Sequence, residues 1–315
     1  MLAAVDLGGT SFRCALAEQD GSFLGEASEP TRSHEGPEAV LARIAECIAG
    51  LVTRAGESPS AIGVGIPGLV DRERGIARFL PNFPTRWRGV PVAEILGRLT
   101  GAEVRILNDV RMATLGELVF GLGRTARTMA FYALGTGVGG GIVIEGKLLL
   151  GPLGAAGEIG HHTIVPDGPL CGCGNRGCLE TFASGPAITA EGVRLLLGGL
   201  APRLHEATGG DAARVSPRVM ADAARAGDEA VASALARVGS LLGIGIANVV
   251  TTIHPDLVVI GGGVAELGDL LLEPARAEVS ARVGMLPPET VRIEKSLLGE
   301  RCGLAGGVAL AGGKL

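Results

Sequence analysis

CGCGNRGCLE, residues 171–180, places three of the six cysteines of this 315-residue chain within eight residues. Those cysteines are Cys171, Cys173 and Cys178, and His161 lies ten residues before the first of them. In structural sites, zinc is bound by four nitrogen or sulfur ligands at the corners of a tetrahedron, and one histidine with three cysteines is a familiar set. We therefore predict a structural Zn²⁺ ion bound by these four side chains, with free thiols as the alternative.

A closed site with four protein ligands leaves no position for a substrate, so the predicted metal stabilises the loop and takes no part in the chemistry. Glu180 follows the last cysteine by two residues, and Glu158 precedes His161 by three. The metal would therefore hold a loop that directs both carboxylates toward a ligand rich in hydroxyl groups.

Composition and charge restrict where such a site can operate. The net charge is −5 and no long basic stretch is present, which disfavours a nucleic-acid partner. The first residues, MLAAVDLGGT, lack the basic region of a signal peptide, and the most apolar stretch, residues 241–253, is shorter than a membrane span. We expect a cytoplasmic protein without a membrane partner, where thiols stay reduced and clustered cysteines favour a metal or catalysis over disulfides.

Three glycine-rich turns each follow an apolar strand: DLGGT (6–10), LGTGVGGG (134–141) and IGGGV (260–264). Glycine lets backbone N–H groups approach an anion closely, and threonine hydroxyls add further donors. None of the three has the spacing of a P-loop or of a dinucleotide-binding fingerprint, and each alone is more simply explained as an ordinary turn. Together they favour phosphate binding.

Asp109 follows Asn108 at the end of an apolar strand. An acid in this position can simply cap the helix that comes next. The functional alternative is a general base, because a carboxylate can accept the proton of an attacking hydroxyl during phosphoryl transfer while Asn108 holds the acceptor.

The order apolar strand, glycine turn, apolar strand occurs once in each half of the chain, at 2–18 and at 129–150. Such a repeat predicts two α/β domains that face each other across a cleft. The glycines of GTGVGGG predict a turn at 135–141. Hydrophobic periodicity predicts strands at 61–68, 103–109, 256–264 and 291–296, and helices at 36–56, 89–101, 110–121, 228–253, 268–284 and 301–313. The apolar helix at 228–253 would be buried either in the second domain or against a partner.

These patterns together resemble the ROK family of sugar kinases, within the actin-like ATPase superfamily. The resemblance covers essentially the whole chain and is most specific from GEIGHH (157–162) through CGCGNRGCLE, in NDVRMATLGE (108–117) and in LGTGVGGG. It implies an α/β, two-domain actin-like ATPase (ribonuclease H-like) fold with a deep interdomain cleft, sugar on one side and nucleotide on the other. We place the domains at 1–115, joined by the C-terminal helix 301–315, and at 116–300 with the zinc loop.

The resemblance also implies roles for the residues at matching positions. Asp109 is the implied catalytic base, and His161 would serve both the metal and the sugar. The implied substrate-binding residues are Gly68, Asn82, Asn108, Asp109, Glu158, His161 and Glu180. The implied residues for ATP, with Mg²⁺ near the first of them, are Asp6, Gly8, Gly9, Thr10, Arg13, Gly135, Thr136, Gly137, Gly261, Gly262 and Gly263.

One position departs from the family pattern. Family members commonly have lysine or asparagine directly after the threonine of the first glycine turn, where this chain has Ser11. Arg13 is the residue that would supply positive charge nearby.

Many members of the family are transcriptional repressors with an added N-terminal helix-turn-helix, whereas this chain begins directly at the first predicted strand, which favours a kinase. The zinc loop, NDVRMATLGE and LPNFPTRW (80–87) look most like those of bacterial glucokinases. We therefore expect ATP-dependent phosphorylation of the 6-hydroxyl of glucose by a homodimer, as a step of glycolysis. The alternatives are a kinase for fructose, mannose, N-acetylmannosamine or N-acetylglucosamine, a kinase that uses polyphosphate, a sugar-sensing regulator without turnover, and a zinc-stabilised interaction module.

Overall fold

A computed structural model describes residues 1–80, 83–84 and 87–315. The chain divides into two compact units. Unit 1 comprises Met1–Ala126, Gly141–Gly157 and Glu300–Leu315, and unit 2 comprises Arg127–Gly140 and Glu158–Gly299. The two predicted domains, 1–115 with 301–315 and 116–300, remain a prediction.

The strands of the described residues form two five-stranded sheets and one two-stranded sheet. The strands before residue 110 are β1 (Leu2–Leu7), β2 (Ser11–Ala17), β3 (Phe23–Pro30), β4 (Ala61–Ile66), β5 (Leu69–Asp71), β6 (Ile76–Phe79) and β7 (Glu103–Asn108). The later strands are β8 (Met129–Leu134), β9 (Val138–Ile144), β10 (Lys147–Leu148), β11 (Leu257–Gly261) and β12 (Arg292–Lys295).

The α-helices of the described residues alternate with these strands. They are α1 (Pro37–Ala55), α2 (Val92–Thr100), α3 (Asp109–Phe120), α4 (Glu180–Ala183), α5 (Gly185–Leu197), α6 (Pro202–Thr208), α7 (Pro217–Arg225), α8 (Glu229–Ile253), α9 (Asp269–Arg282) and α10 (Cys302–Ala311). The mixture of sheets and helices confirms the predicted α/β class.

The first sheet lies in unit 1 and has the strand order β3-β2-β1-β4-β7. β1 and β2 form the predicted antiparallel hairpin, whereas β1, β4 and β7 run parallel. Asp6 of β1 lies beside Gly65 of β4, which in turn lies beside Leu107 of β7. The carboxyl ends of the three parallel strands therefore meet at one edge of the sheet, and this edge carries Asp6 and the residues that follow β7.

The two faces of β1 contact different helices, because successive side chains of a strand point in opposite directions. Its odd-numbered residues join the hydrophobic cluster of α1 and α2, and its even-numbered apolar residues contact α10. α10 lies so close to the sheet that a methyl group on Gly63 would overlap the carbonyl oxygen of Gly307. The glycines of this helix thus allow close packing, and the helix predicted at 301–313 is confirmed.

The second sheet has the strand order β10-β9-β8-β11-β12, in which β8, β11 and β12 run parallel. α8 packs on α9 within unit 2. Methyl groups at Gly239 and Gly243 would lie 2.5 and 2.6 Å from carbonyl oxygens of α9, so glycine permits this close approach. The helix predicted at 228–253 is therefore confirmed, and it packs inside its own unit.

Several elements differ from the prediction. β9 begins at Val138, so the turn predicted at 135–141 is wrong over its last four residues, where pairing in the sheet outweighs the turn preference of glycine. β3 was not predicted, and neither was the short pair β5 and β6.

α8 is the one helix among the described residues that is long and apolar enough to cross a membrane by length and composition. The prediction considered only residues 241–253, whereas the helix has 25 residues. Buried residues make up 56% of its most apolar window, and it packs against α7 and α9. Core helices pass the same test of length and composition, so this feature is weak support for a membrane span.

Candidate functional site

Asn108 and Asp109 stand where β7 ends and α3 begins. The side chain of Asn108 is the N-cap of α3, because its Oδ1 accepts hydrogen bonds from the backbone N–H groups of Val110 and Arg111, both at 3.1 Å. Asp109 is the first residue of the helix, and its Oδ1 accepts from the Val110 N–H at 2.9 Å. The capping role considered for Asp109 therefore belongs chiefly to Asn108.

Asp109 is half-buried, and its environment disfavours the charged carboxylate. Burial, followed by the negative charge of Asp6, raises the pKa of Asp109 to about 6. Burial also raises the pKa of Asp6, which the nearby Arg13 guanidinium opposes. A carboxylate with a pKa near the working pH is ionised at pH 7 and is well matched to general-base catalysis.

Gly68 lies in the connection between β4 and β5, with a φ of 124°. Its carbonyl oxygen accepts a hydrogen bond from Asn108 Nδ2 at 3.1 Å. The structure thus brings together three of the predicted sugar-binding residues in unit 1: Gly68, Asn108 and Asp109. Asn82, which was also predicted to bind sugar, lies outside the described residues.

The first glycine turn joins β1 to β2. The Gly8 N–H donates to the Ser11 carbonyl at 3.0 Å, and a side chain at Gly8 would come within 2.7 Å of that oxygen. Thr31, just after β3, secures the turn by donating its hydroxyl to the Gly8 carbonyl at 2.7 Å and its N–H to the Thr10 carbonyl at 2.9 Å. These hydrogen bonds therefore hold the turn in place, and Gly9 and Thr10 are exposed on it.

Arg13 extends from β2 toward the acid of the same turn. Its Nη2 lies 3.3 Å from Asp6 Oδ2 and also donates to the Glu300 carbonyl. Positive charge therefore stands beside Asp6, although the family's usual residue after the threonine is absent.

The predicted metal ligands come together in unit 2. The ligand atoms of His161, Cys171, Cys173 and Cys178 all lie within 4.8 Å of one another. Cys171 Sγ is 3.6 Å from His161 Nδ1, and Cys173 Sγ is 3.8 Å from Cys178 Sγ. A tetrahedral Zn²⁺ with bonds of about 2.3 Å to sulfur and about 2.0 Å to nitrogen separates its ligand atoms by about 3.5–3.8 Å. These two separations match such an ion, and the other donor pairs lie within 4.8 Å of one another.

Two further contacts connect this cluster to its surroundings. Asn175 Nδ2 donates to Cys178 Sγ at 3.5 Å and to Thr163 Oγ1 at 2.9 Å, as outer partners of metal ligands commonly do.

Because His161 Nδ1 is the ring nitrogen beside Cys171, Nε2 lies on the opposite edge of the ring. One imidazole can therefore bind a metal through Nδ1 and a hydroxyl through Nε2.

Glu180, the first residue of α4, connects the cysteine loop to the second glycine turn. Its Oε2 accepts from the Val138 N–H at 2.9 Å, and its Oε1 lies 3.6 Å from Cys171 Sγ. A methyl group on Gly137 would overlap Oε2, so glycine is needed there for the carboxylate to reach the backbone. The Gly135 carbonyl accepts from the Gly185 N–H at 2.8 Å and ties the turn that contains Thr136 to α5.

Glu158 precedes the short 3₁₀-helix Ile159–His161. This helix lies tightly against β9, since a methyl group on Gly160 would overlap the Val138 carbonyl. Glu158, His161 and Glu180 are therefore attached to the same framework of β9 and the cysteine loop in unit 2.

The third glycine turn follows β11. Gly261 is the last residue of that strand, Gly262 has a φ of 84°, and Gly263 begins a 3₁₀-helix. A side chain on Gly262 would overlap the Leu134 carbonyl at the end of β8. Close packing alone explains glycine at that position, and a nucleotide-binding role for the turn stays a prediction.

Sequence patterns missed three residues that shape these sites: Thr31, Arg111 and Asn175. Arg111 could have been noticed, because a cation in the first turn of a helix opposes the helix dipole and therefore needs a specific reason. Thr31 and Asn175 lie in unremarkable polar stretches, and only their hydrogen bonds reveal them.

Comparison with known proteins agrees with these features. The profile of the ROK family matches residues 2–314. The glucokinase of Thermotoga maritima is 38% identical over 312 residues, covering 98% of this chain and 96% of that protein. The xylose repressor of Caldicellulosiruptor bescii is 31% identical, covering 98% of this chain and 77% of the repressor. The crystal structure of a ROK family glucokinase from Streptomyces griseus in complex with glucose and AMPPNP matches with a TM-score of 0.86 and 32% identity, covering 98% of both chains.

The match to that crystal structure defines the chain as an α/β protein with the actin-like ATPase fold. The family profile and the glucokinase relatives go one step further: the chain belongs to the ROK family. The resemblance inferred from the motifs is thereby confirmed.

Proposed function

We propose that the protein is a hexose kinase that transfers the γ-phosphoryl group of ATP to the 6-hydroxyl of glucose. The observation that carries this proposal is Asp109, a half-buried carboxylate of raised pKa beside the capping amide of Asn108. Similarity to glucokinases over 98% of the chain supports the same function.

In the proposed reaction, Asp109 accepts the proton of the 6-hydroxyl while the hydroxyl oxygen forms a bond to the γ-phosphorus. The bond from that phosphorus to the bridging oxygen breaks, and ADP leaves with the bonding electrons. Hydrogen bonds orient the sugar, and the proposed partners are Gly68, Asn82, Asn108, Glu158, His161 and Glu180.

The three glycine turns are proposed to bind ATP. Their backbone N–H groups and the hydroxyls of Thr10 and Thr136 suit phosphate oxygens. Mg²⁺, when bound with the nucleotide, neutralises charge on the transferred phosphoryl group. Asp6 is the proposed carboxylate near that ion, and Arg13 is the proposed positive charge at the first turn.

A structural Zn²⁺ ion is proposed at the cluster of His161, Cys171, Cys173 and Cys178, whose donor atoms fit its distances. It would fix the loop that holds Glu180. The proposal also includes a cytoplasmic location and the absence of nucleic-acid and membrane partners, which rest on sequence features. A role in glycolysis and a homodimer rest on the resemblance to the family.

The experiment that tests the function measures ADP formation by the purified protein with Mg²⁺, ATP and a panel of hexoses. Glucose is expected to give the highest kcat/KM among glucose, fructose, mannose, N-acetylmannosamine and N-acetylglucosamine. Another hexose at the top of the panel would change the substrate, and turnover with polyphosphate in place of ATP would change the donor. Glucose binding without turnover would point to a regulator, a class to which the xylose repressor relative belongs.

The pH profile of the reaction follows from Asp109. Its pKa is raised to about 6, so the carboxyl is protonated below that pH and cannot accept the proton of the sugar. We expect kcat/KM for glucose to rise between about pH 5 and pH 7, with a midpoint near the pKa of the base in the free enzyme. A profile that is flat across this range would contradict the assignment of Asp109 as the base.

Substitution of Gly137 tests the position of Glu180. In Gly137→Ala, the new methyl group would displace the carboxylate from the Val138 N–H. We expect KM for glucose to rise by about 10-fold or more, as for loss of a hydrogen bond to a charged group. Gly50→Ala in α1 is the matched control, because a methyl group there meets nothing within 4 Å. An unchanged KM for glucose in Gly137→Ala would contradict the proposed role of Glu180 in sugar binding.

A further inference from the structure

Arg111 is a buried cation inside the first turn of α3, with a relative exposure of 1%. Between residues that the structure describes, its guanidinium donates hydrogen bonds to the Asn108 side chain and to two backbone carbonyls. Nη1 donates to Asn108 Oδ1 at 3.1 Å, Nε donates to the Ala156 carbonyl at 3.0 Å, and Nη2 donates to the carbonyls of Ala155 and Ala156 at 3.0 and 2.8 Å. A buried charge held by this many directed bonds has a defined position.

The first consequence concerns the orientation of the Asn108 amide. Its Oδ1 accepts from three donors, which are the N–H groups of Val110 and Arg111 and the Arg111 guanidinium. The oxygen therefore faces the helix, and Nδ2 faces the Gly68 carbonyl. A flipped amide would set its oxygen against the Gly68 oxygen and its NH₂ group against three donors, so the network permits one orientation.

The second consequence concerns the backbone of Ala155 and Ala156. The carbonyls of Ala155 and Ala156 accept three of these guanidinium bonds, and Gly157 follows with a φ of 92°. The same side chain that orients Asn108 thus ties this segment of unit 1 to the start of α3.

We propose that Arg111 is a positioning residue for sugar recognition, which rests on the proposed sugar-binding role of Asn108. It holds the Asn108 NH₂ group so that one N–H bonds the Gly68 carbonyl and the other donates to a single hydroxyl of the sugar. A charged donor strengthens the bond to the amide oxygen, and so the amide keeps its direction in the absence of substrate.

The test measures the dissociation constant for glucose and for each of its monodeoxy analogues by calorimetry, without ATP. The variants are Arg111→Met, Asn108→Ala and the double variant. Arg105→Met is the matched control, because Arg105 also donates to two backbone carbonyls of unit 1, those of Leu310 and Ala311, and has no proposed role in the site.

We expect Arg111→Met to weaken glucose binding by up to about 10-fold, the effect of losing one hydrogen bond to a sugar hydroxyl. For the one analogue that lacks the hydroxyl bound by Asn108, the wild type, Arg111→Met and Asn108→Ala should bind equally. The double variant should bind glucose no more weakly than Asn108→Ala alone. Arg105→Met should bind every sugar like the wild type.

An equal loss of affinity for glucose and every analogue would overturn the proposal in favour of a general structural role, as would unchanged affinity in folded Arg111→Met. If Arg111→Met does not fold, Arg111→Lys keeps the buried charge and should show the same dependence on one hydroxyl. An Arg111→Lys variant whose affinity does not depend on one hydroxyl in this way would overturn the proposal. Glucose binding without ADP formation would overturn the kinase function. The dissociation constants would still test whether Arg111 positions Asn108 for sugar binding. A wild type that binds no glucose would overturn both.

Discussion

Replacement of Asp109 by asparagine is expected to lower kcat for glucose phosphorylation by about 10²–10⁴-fold, the usual contribution of a positioned general base. Asparagine has nearly the same shape but cannot accept the proton of the 6-hydroxyl. KM for glucose should change far less, because hydrogen bonds from neighbouring groups to the sugar remain. Steady-state kinetics with ATP and Mg²⁺ will separate the two parameters.

The stability of Asp109→Asn provides the control for this result. A carboxyl whose pKa is raised by folding adds stability at low pH and loses that contribution as the pH rises through about 6. At neutral pH the variant removes a half-buried charge that also repels Asp6. We expect Asp109→Asn to be more stable than the wild type by about 1–2 kcal/mol at pH 7, with the difference shrinking as the pH falls and vanishing only below about pH 4.

This combination distinguishes a catalytic from a structural role. Loss of turnover together with a higher melting temperature at pH 7 is the expected outcome. Turnover near that of the wild type would remove Asp109 from the role of base. A large fall in melting temperature would assign the loss of activity to misfolding.

Loss of the metal cluster is expected to produce the second largest effect. The purified wild type should contain one zinc ion per chain when no chelator is used. Cys178→Ala removes one of the four ligands and should release the metal, because structural zinc is held by a complete tetrahedron. We expect kcat/KM for glucose to fall by about 10–100-fold, as His161 and the loop beside Glu180 lose their support.

Cys47→Ala is the matched control for this variant. Cys47 is a buried cysteine of α1 that lies outside the cluster, so its loss should leave the zinc content unchanged. If Cys178→Ala is insoluble, removal of zinc from the wild type by a chelator and its return to the apoprotein provide the same comparison. Zinc-free wild-type protein with full activity would refute the proposed metal.

The fold could be predicted where local pattern and tertiary structure agree. β1, β4 and β8 are short apolar segments that end at glycine or polar residues, and α1 and α8 show clear helical periodicity. The start of β9 could not be predicted, because VGGG has the composition of a turn and becomes a strand only by pairing with its neighbours. β3 alternates between partly buried and exposed residues and so lacks an apolar face.

The candidate site likewise has residues that the sequence could predict and residues that it could not. The spacing of Cys171, Cys173 and Cys178 expresses their chemistry directly, so the cluster was predictable. The role of Arg111 was not, because its acceptors at Ala155 and Ala156 lie more than forty residues away in sequence and are backbone atoms without a sequence signature. Sequence therefore identifies the groups that carry out chemistry more readily than the groups that hold them in place.

The burial of α10 has a consequence for synthesis on the ribosome. All ten of its residues are buried, and it packs against β1, β4 and α3 of unit 1. Residues 158–299 of unit 2 are translated between α3 and α10. The faces of β1, β4 and α3 that α10 covers therefore stay uncovered until nearly the whole polypeptide has been made, and they are open to chaperones during that interval.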